Sequence, residues 1–142
     1  MILIDVNVLV YAFRKDATDH ARYHNWLQGI INAPSAYGIS DLVLSGFLRI
    51  VTHPKVFNQP STWSEASEFA RTVRCQPNCR FITCGERHWE IFTDLCRKAD
   101  AKGNLVADAF LAALAIESGC EWITTDRDFA KFPGLQWRHP LG

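Results

Sequence analysis

The chain predicts a three-layer α/β fold with a mainly parallel central sheet. Short apolar runs that stop at polar residues, stretches of helical apolar spacing between them, and the regular alternation of the two carry that expectation. The first run, Ile2-Leu3-Ile4, halts at Asp5, as a buried parallel strand does at its carboxyl end. Asn7 to Phe13 and Ala17 to Ile31 then carry apolar residues at helical spacing, including Ala21, Trp26, Leu27, Ile30 and Ile31, until Ala33-Pro34-Ser35 breaks the pattern. Ala36 to Ile39 predicts a second strand. Ser40 caps the helix that follows, with Asp41 in its first turn where a carboxylate complements the helix dipole, and the helix reaches about Thr52.

His53-Pro54 to Gln59-Pro60 is a loop, after which Ser61 or Thr62 caps a helix over Trp63 to Arg74. Arg80 to Thr83 predicts a third strand, and Glu86 to Ala99 an amphipathic helix containing Trp89, Phe92 and Leu95. Asn104 is expected to cap a helix from Leu105 to Glu117 that ends at Gly119, since glycine commonly terminates helices. Cys120 to Thr125 is the next strand, Asp128 opens a short helix, and Leu135 to Arg138 is a last edge strand.

Length and composition bound the function. With 142 residues, 48% of them hydrophobic, the expectation is one domain over residues 1–142 with a real core. No apolar run approaches the roughly 18 residues that span a bilayer, and Met1-Ile-Leu-Ile-Asp5 lacks the layout of a signal peptide, so a soluble, cytoplasmic protein with no membrane contact is expected. Fifteen basic and fifteen acidic side chains cancel, so any nucleic-acid site must be local. Five cysteines, at 75, 79, 84, 96 and 120, are an odd number and point to reduced thiols. Cys75, Cys79 and Cys84 are weighed as a zinc site but lack paired CxxC spacing. His20 and His24 stand one helical turn apart with no third ligand beside them, which favours a plain helix face.

Three aspartates carry the chemical signal. Asp5 and Asp126 each follow a predicted strand, and in an open α/β sheet the carboxyl ends of the strands face the ligand crevice. Asp108 is the only charge between Leu105 and Ile116, on a helix that is otherwise apolar. Taken singly, each has a plain reading: Asp5 as a helix cap, Asp126 and Asp128 as turn residues, Asp108 as an arginine's partner. Brought together, three carboxylates repel one another, and a hard divalent cation, Mg²⁺ or Mn²⁺, is what offsets that repulsion.

The segments Ile2-Leu-Ile-Asp-Val-Asn-Val-Leu-Val-Tyr-Ala12, Ile39-Ser-Asp-Leu-Val-Leu-Ser-Gly-Phe-Leu-Arg-Ile50, Asn104-Leu-Val-Ala-Asp-Ala-Phe-Leu-Ala-Ala113 and Ile123-Thr-Thr-Asp-Arg-Asp-Phe129 resemble, in order, the signature blocks of the VapC-type PIN-domain ribonuclease toxins of type II toxin–antitoxin systems. The resemblance implies an α/β/α PIN-like domain whose Asp5, Asp108 and Asp126 are catalytic by holding Mg²⁺ or Mn²⁺, with Asn7, Thr125 and Asp128 in supporting roles. It also implies metal-assisted hydrolysis of RNA phosphodiesters to 5′-phosphate and 3′-hydroxyl ends, and a VapB-like antitoxin that inserts a basic side chain among the acids. The sequence departs from the pattern at Gly46, where the family usually has glutamate; Asp41, five residues earlier, is the only substitute on that helix.

Arg14, Lys15, Arg49 and Arg127 are candidates to hold flanking phosphates. Trp26, Trp63 and Trp89 read as core or dimer-interface residues, and a homodimer is expected. Two rival enzymes fit less well. A haloacid-dehalogenase-like phosphohydrolase needs an acid where Asn7 stands, and a phosphoacceptor receiver domain needs paired acids after the first strand. A catalytically impaired PIN domain that only binds RNA or antitoxin is the non-enzymatic alternative.

Overall fold

The computed structural model describes all 142 residues, in the order β1 (Ile2–Ile4), α1 (Val6–Phe13), α2 (His20–Asn32), β2 (Tyr37–Ile39), α3 (Asp41–Val51), α4 (Trp63–Arg74), β3 (Cys79–Phe81), α5 (His88–Lys98), α6 (Asn104–Ser118), β4 (Glu121–Ile123), a short 3₁₀ turn (Arg127–Lys131) and β5 (Trp137–Arg138). The strands form one sheet in the order β3-β2-β1-β4-β5, and every pairing is parallel. Six helices flank it: α1 packs on α2 and α3, α3 on α4, and α5 pairs with α6, which also meets β4. This is the three-layer arrangement the sequence predicts.

Burial follows position in the sheet. Leu3 and Ile4 of β1, Ile39 of β2, and Trp122 and Ile123 of β4 are fully enclosed, as expected for central parallel strands covered on both faces. At one edge, by contrast, Phe81 of β3 is exposed, and the guanidinium of Arg74 lies 4.1 Å above its ring. On α6 the buried residues are Ala109, Ala112, Ala113, Leu114 and Ala115, a mostly small-residue face that lets its backbone approach its neighbours.

Most helix ends are where the side-chain chemistry places them. Ser40 accepts from the Leu42 N–H, Thr62 accepts from the Glu65 N–H, and Gly119 closes α6 in the left-handed conformation at φ 69°. Two expected caps are corrected. Asn104 is already helical; the chain enters α6 through Gly103 at φ 57° and ψ −127°, and no side chain caps it. The 3₁₀ turn is opened by Asp126, whose carboxylate accepts from the Asp128 N–H, so Asp128 lies inside it. β1 has the expected bounds, whereas β2, β4 and β5 are shorter than their apolar runs suggested and β3 runs from Cys79 to Phe81 rather than from Arg80 to Thr83.

One helix start is capped from a distance. The Glu117 carboxylate on α6 accepts from the N–H groups of Gly85, at 2.7 Å, and Arg87, at 2.9 Å, leading into α5. A charged acceptor thus meets donors that the first turn of a helix leaves free.

Candidate active site

β1 and β4 run side by side in the register Ile4↔Ile123, and the Asp5 N–H makes a further bond to the Ile123 carbonyl at 2.9 Å. Beyond that point the two chains diverge, and the acids stand at the fork. Asp5 turns into α1 as its N-cap, its Oδ1 accepting from the Val6 N–H at 2.7 Å. Its Oδ2 accepts from the hydroxyl of Thr124 at 2.7 Å. The same hydroxyl accepts from the Asp126 N–H at 3.0 Å. Asp5 is only 5% exposed and Thr124 is wholly buried, so this cluster ties the ends of the two strands together out of reach of solvent.

Sequence reasoning singled out Thr125 and missed Thr124. Alternation holds the missed signal: residues two apart project to the same side of an extended chain, so Thr124, not Thr125, shares a side with Asp126.

The electrostatics bind the distant acids into one group. Burial pushes the Asp5 carboxyl up to about 6; the hydrogen bonds from Thr124 and Val6 pull it down, and the charges of Asp108 and Asp126 push it up. Asp108, half-buried on α6, is also raised to about 6, by burial first and then by Asp126 and Asp128. Asp128 is exposed and lies 3.4 Å from Lys131. Asp108 and Asp126 thus act on Asp5 through their charge, and Asp126 and Asp128 act on Asp108 in the same way. No three His, Cys, Asp or Glu side chains stand close enough together to form a metal site as they are placed. The donor chemistry of these acids fits a hard divalent cation: each offers carboxylate oxygen, and the charges acting on Asp5 and Asp108 are those of other acids.

Other candidates are sorted by where they lie. The carboxylate of Asp41, the possible substitute for the missing glutamate, pairs with Arg74 of α4 at 2.8 Å. Gly46 sits on α3 beside α1, and a Cβ there would meet the Cγ2 of Val6 at 3.1 Å. Asn7 is half-buried on α1 and Thr125 is half-buried after β4. Arg14 is not a free phosphate ligand: it is buried, bonded to Asp16, the Gln59 carbonyl and Ser61, and its guanidinium lies 3.9 Å from the Phe57 ring centroid. Lys15, Arg49 and Arg127 are exposed and engaged by no acid.

All five cysteines are free. Cys75, Cys79 and Cys84 do not come together as a possible metal site. The His20 ring bonds to the Tyr11 carbonyl and lies 5.6 Å from that of His24. Trp26 packs against the core, but Trp63 and Trp89 are 65% and 68% exposed and are not core residues of this chain.

Residues 2–135 match the family described as the PIN domain. The chain belongs to the PIN-domain family. Its relatives include Ribonuclease VapC43 of Mycobacterium tuberculosis, 43% identical over 141 residues that cover 99% of this chain and 96% of that protein. Ribonuclease VapC25 of the same organism is 37% identical over 140 residues, 99% of each chain. Among solved structures, a chain of Rickettsia felis VapBC2 bound to a DNA fragment from its promoter superposes with a TM-score of 0.71, covering 98% of each chain at 19% identity. At that identity the likeness speaks for the fold. The VapC relatives place this PIN domain among the VapC ribonucleases by sequence and set aside the phosphohydrolase and receiver alternatives.

Proposed function

We propose that this PIN domain, acting as one unit over residues 1–142, is a Mg²⁺- or Mn²⁺-dependent endoribonuclease and the toxin half of a VapBC-like toxin–antitoxin pair. The observation that supports the reading is the hydrogen-bonded link from Asp5 through the Thr124 hydroxyl to the Asp126 N–H at the ends of β1 and β4, with the charge of Asp108 also acting on Asp5. Asp5, Asp108 and Asp126 would hold the cation. When bound, it supplies an acidified water and neutralises charge developing on the phosphate.

The chain's own groups prepare that chemistry. Thr124 locks one Asp5 oxygen, and the Val6 N–H engages the other, so the carboxylate is oriented before any ligand arrives. The turn opened by Asp126 fixes that acid against the 3₁₀ segment. Lys15, Arg49 and Arg127 are the free cations available to flanking RNA phosphates. A VapB-like antitoxin would inhibit by placing a basic side chain among the acids, where their repulsion favours any cation. The likeness to the VapBC2 chain supports the VapB-like partnership, and a homodimeric state and a cytoplasmic site of action belong to the same proposal; no helix is long and apolar enough to cross a membrane.

The test is cleavage of RNA in Mg²⁺ or Mn²⁺ against EDTA, with Asp5→Asn and Asp108→Asn alongside. Cleavage should require the cation and fall at least about a hundredfold in either variant. The second reading, a PIN domain that binds without cutting, is favoured by Gly46 in the glutamate's place. RNA binding with no cleavage in either metal would select it.

A further inference from the structure

Two clefts meet beside the acids. The first, about 670 Å³, is bounded by Val6, Gly46, Arg49, Phe92, Ala107 and Phe110. Val6 follows Asp5 and Ala107 precedes Asp108, so two of its wall residues are chain neighbours of the acids. The second, about 510 Å³, lies between α3 and α4 and shares Ser45 and Arg49 with the first; Trp63, Arg71 and Arg74 stand farther along it. Arg71 and Arg74 are occupied by Glu68 and Asp41, so Arg49, at the junction, is the cation left free.

We propose that the first cleft seats an unstacked nucleobase of the RNA substrate, from a nucleotide adjoining the cut, while Arg49 holds the phosphate on its outer side. This rests on the nuclease reading and adds to it a determinant of which nucleotide is accepted.

Three features favour a nucleotide as the occupant. The cleft has the size of a small-molecule site, and its walls are apolar apart from Ser45 and Arg49. Its complement is thus a planar apolar body with a negative charge at one edge. Its aromatic wall continues outward: the Phe110 and Phe92 rings are 5.3 Å apart, and Trp89, 5.4 Å from Phe92, is largely exposed. Single-stranded RNA is held by splayed bases stacked on such rings, with arginines on the backbone. Position also matters, because Val6 and Ala107 of the cleft wall adjoin Asp5 and Asp108 in the chain, so a nucleotide seated here would have one phosphate near those acids and the other at Arg49. Gly46 keeps the space open: a Cβ there is already 3.1 Å from Val6, and a longer side chain would grow from the wall the two residues share.

The probe is a short single-stranded oligoribonucleotide carrying 2-aminopurine at successive positions, titrated with the full-length protein in EDTA so that stacking is read without cleavage. Arg49→Ala tests the phosphate contact. Leu42→Trp, at a half-exposed position on the same cleft, adds bulk at its mouth without touching the core. Quenching at one position, an affinity about tenfold weaker in Arg49→Ala, and loss of that quenching in Leu42→Trp with an unchanged melting temperature are expected. In metal, both variants should lose kcat/KM mainly through KM. A wild-type protein that shows no quenching, or variants that bind and cut like wild type, would overturn the proposal while leaving nuclease activity standing. If Leu42→Trp leaves RNA binding intact but blocks co-purification with the antitoxin of the adjacent gene, the cleft belongs to a protein partner and the proposal falls. Quenching without cleavage by wild type in either metal would keep the base site and reject the nuclease reading instead.

Discussion

The hydroxyl of Thr124 donates a 2.7 Å hydrogen bond to Oδ2 of Asp5 while its oxygen accepts a 3.0 Å bond from the Asp126 N–H. One buried side chain thereby sets the orientation of an acid from β1 and the path of the chain toward the acid after β4. Thr124→Val keeps the shape and removes both bonds, leaving a buried acceptor and donor unmatched at a cost of roughly 1–3 kcal/mol. Because the Thr124 bond holds the Asp5 carboxyl down, its loss also moves the acidic limb of the pH–rate profile to higher pH. Thr124→Ser should restore both the profile and the stability. A Thr124→Val enzyme with an unshifted profile would show that the hydroxyl is only structural.

The metal-free protein should lose stability as pH rises from about 4 to about 6. The Asp5 carboxyl titrates near 3.8 when free and near 6 in the fold, so in that window the folded chain keeps a proton the unfolded chain has released, and stability falls with rising pH before levelling off. Asp5 alone accounts for about 3 kcal/mol, and Asp108 acts in the same direction. Asp16, Asp41 and Asp94 are held below the ordinary value by Arg14, by Arg74, and by Lys98 with Arg97, so they titrate beneath this window. Chemical denaturation in EDTA across the range measures the slope, which Asp5→Asn should flatten.

Glu117→Ala should loosen the start of α5. Two N–H donors, on Gly85 and Arg87, lose a charged acceptor, for a loss of roughly 1–3 kcal/mol. Hydrogen exchange should quicken first at those two amides and through the opening turn of α5, with β1 unchanged. Uniform acceleration over the whole chain would mean the contact is not a local cap.

Two glycines should respond in opposite directions to alanine. Gly29 lies mid-way along α2 with nothing within 4 Å of a Cβ, so Gly29→Ala should stabilise by roughly 0.5–1 kcal/mol. Gly103 enters α6 at φ 57°, where a side chain is strained, so Gly103→Ala should destabilise by roughly 1–3 kcal/mol. Thermal melts of the two variants decide both signs.

Much of this was legible in the sequence because it depends on local chemistry. Ser40, Thr62 and Gly119 mark their helix ends by rules that need no tertiary context, and Asp5 and Asp126 were placed by where their apolar runs stop. What escaped depends on distant partners. Nothing local says that Arg14 is buried under Phe57, that Asp41 answers Arg74, or that the Thr124 hydroxyl points at Asp5, 119 positions away. Asn104 failed as a cap for another reason: the positive φ of Gly103 brings the chain into the helix one residue early.

The contact that a side chain at position 46 would make with Val6 couples what the two positions can carry. Val6 Cγ2 would lie 3.1 Å from a Cβ at position 46, so an acid introduced there has to displace a valine methyl slightly. Its effect would depend on first trimming residue 6, and the two changes together should accomplish what neither does alone.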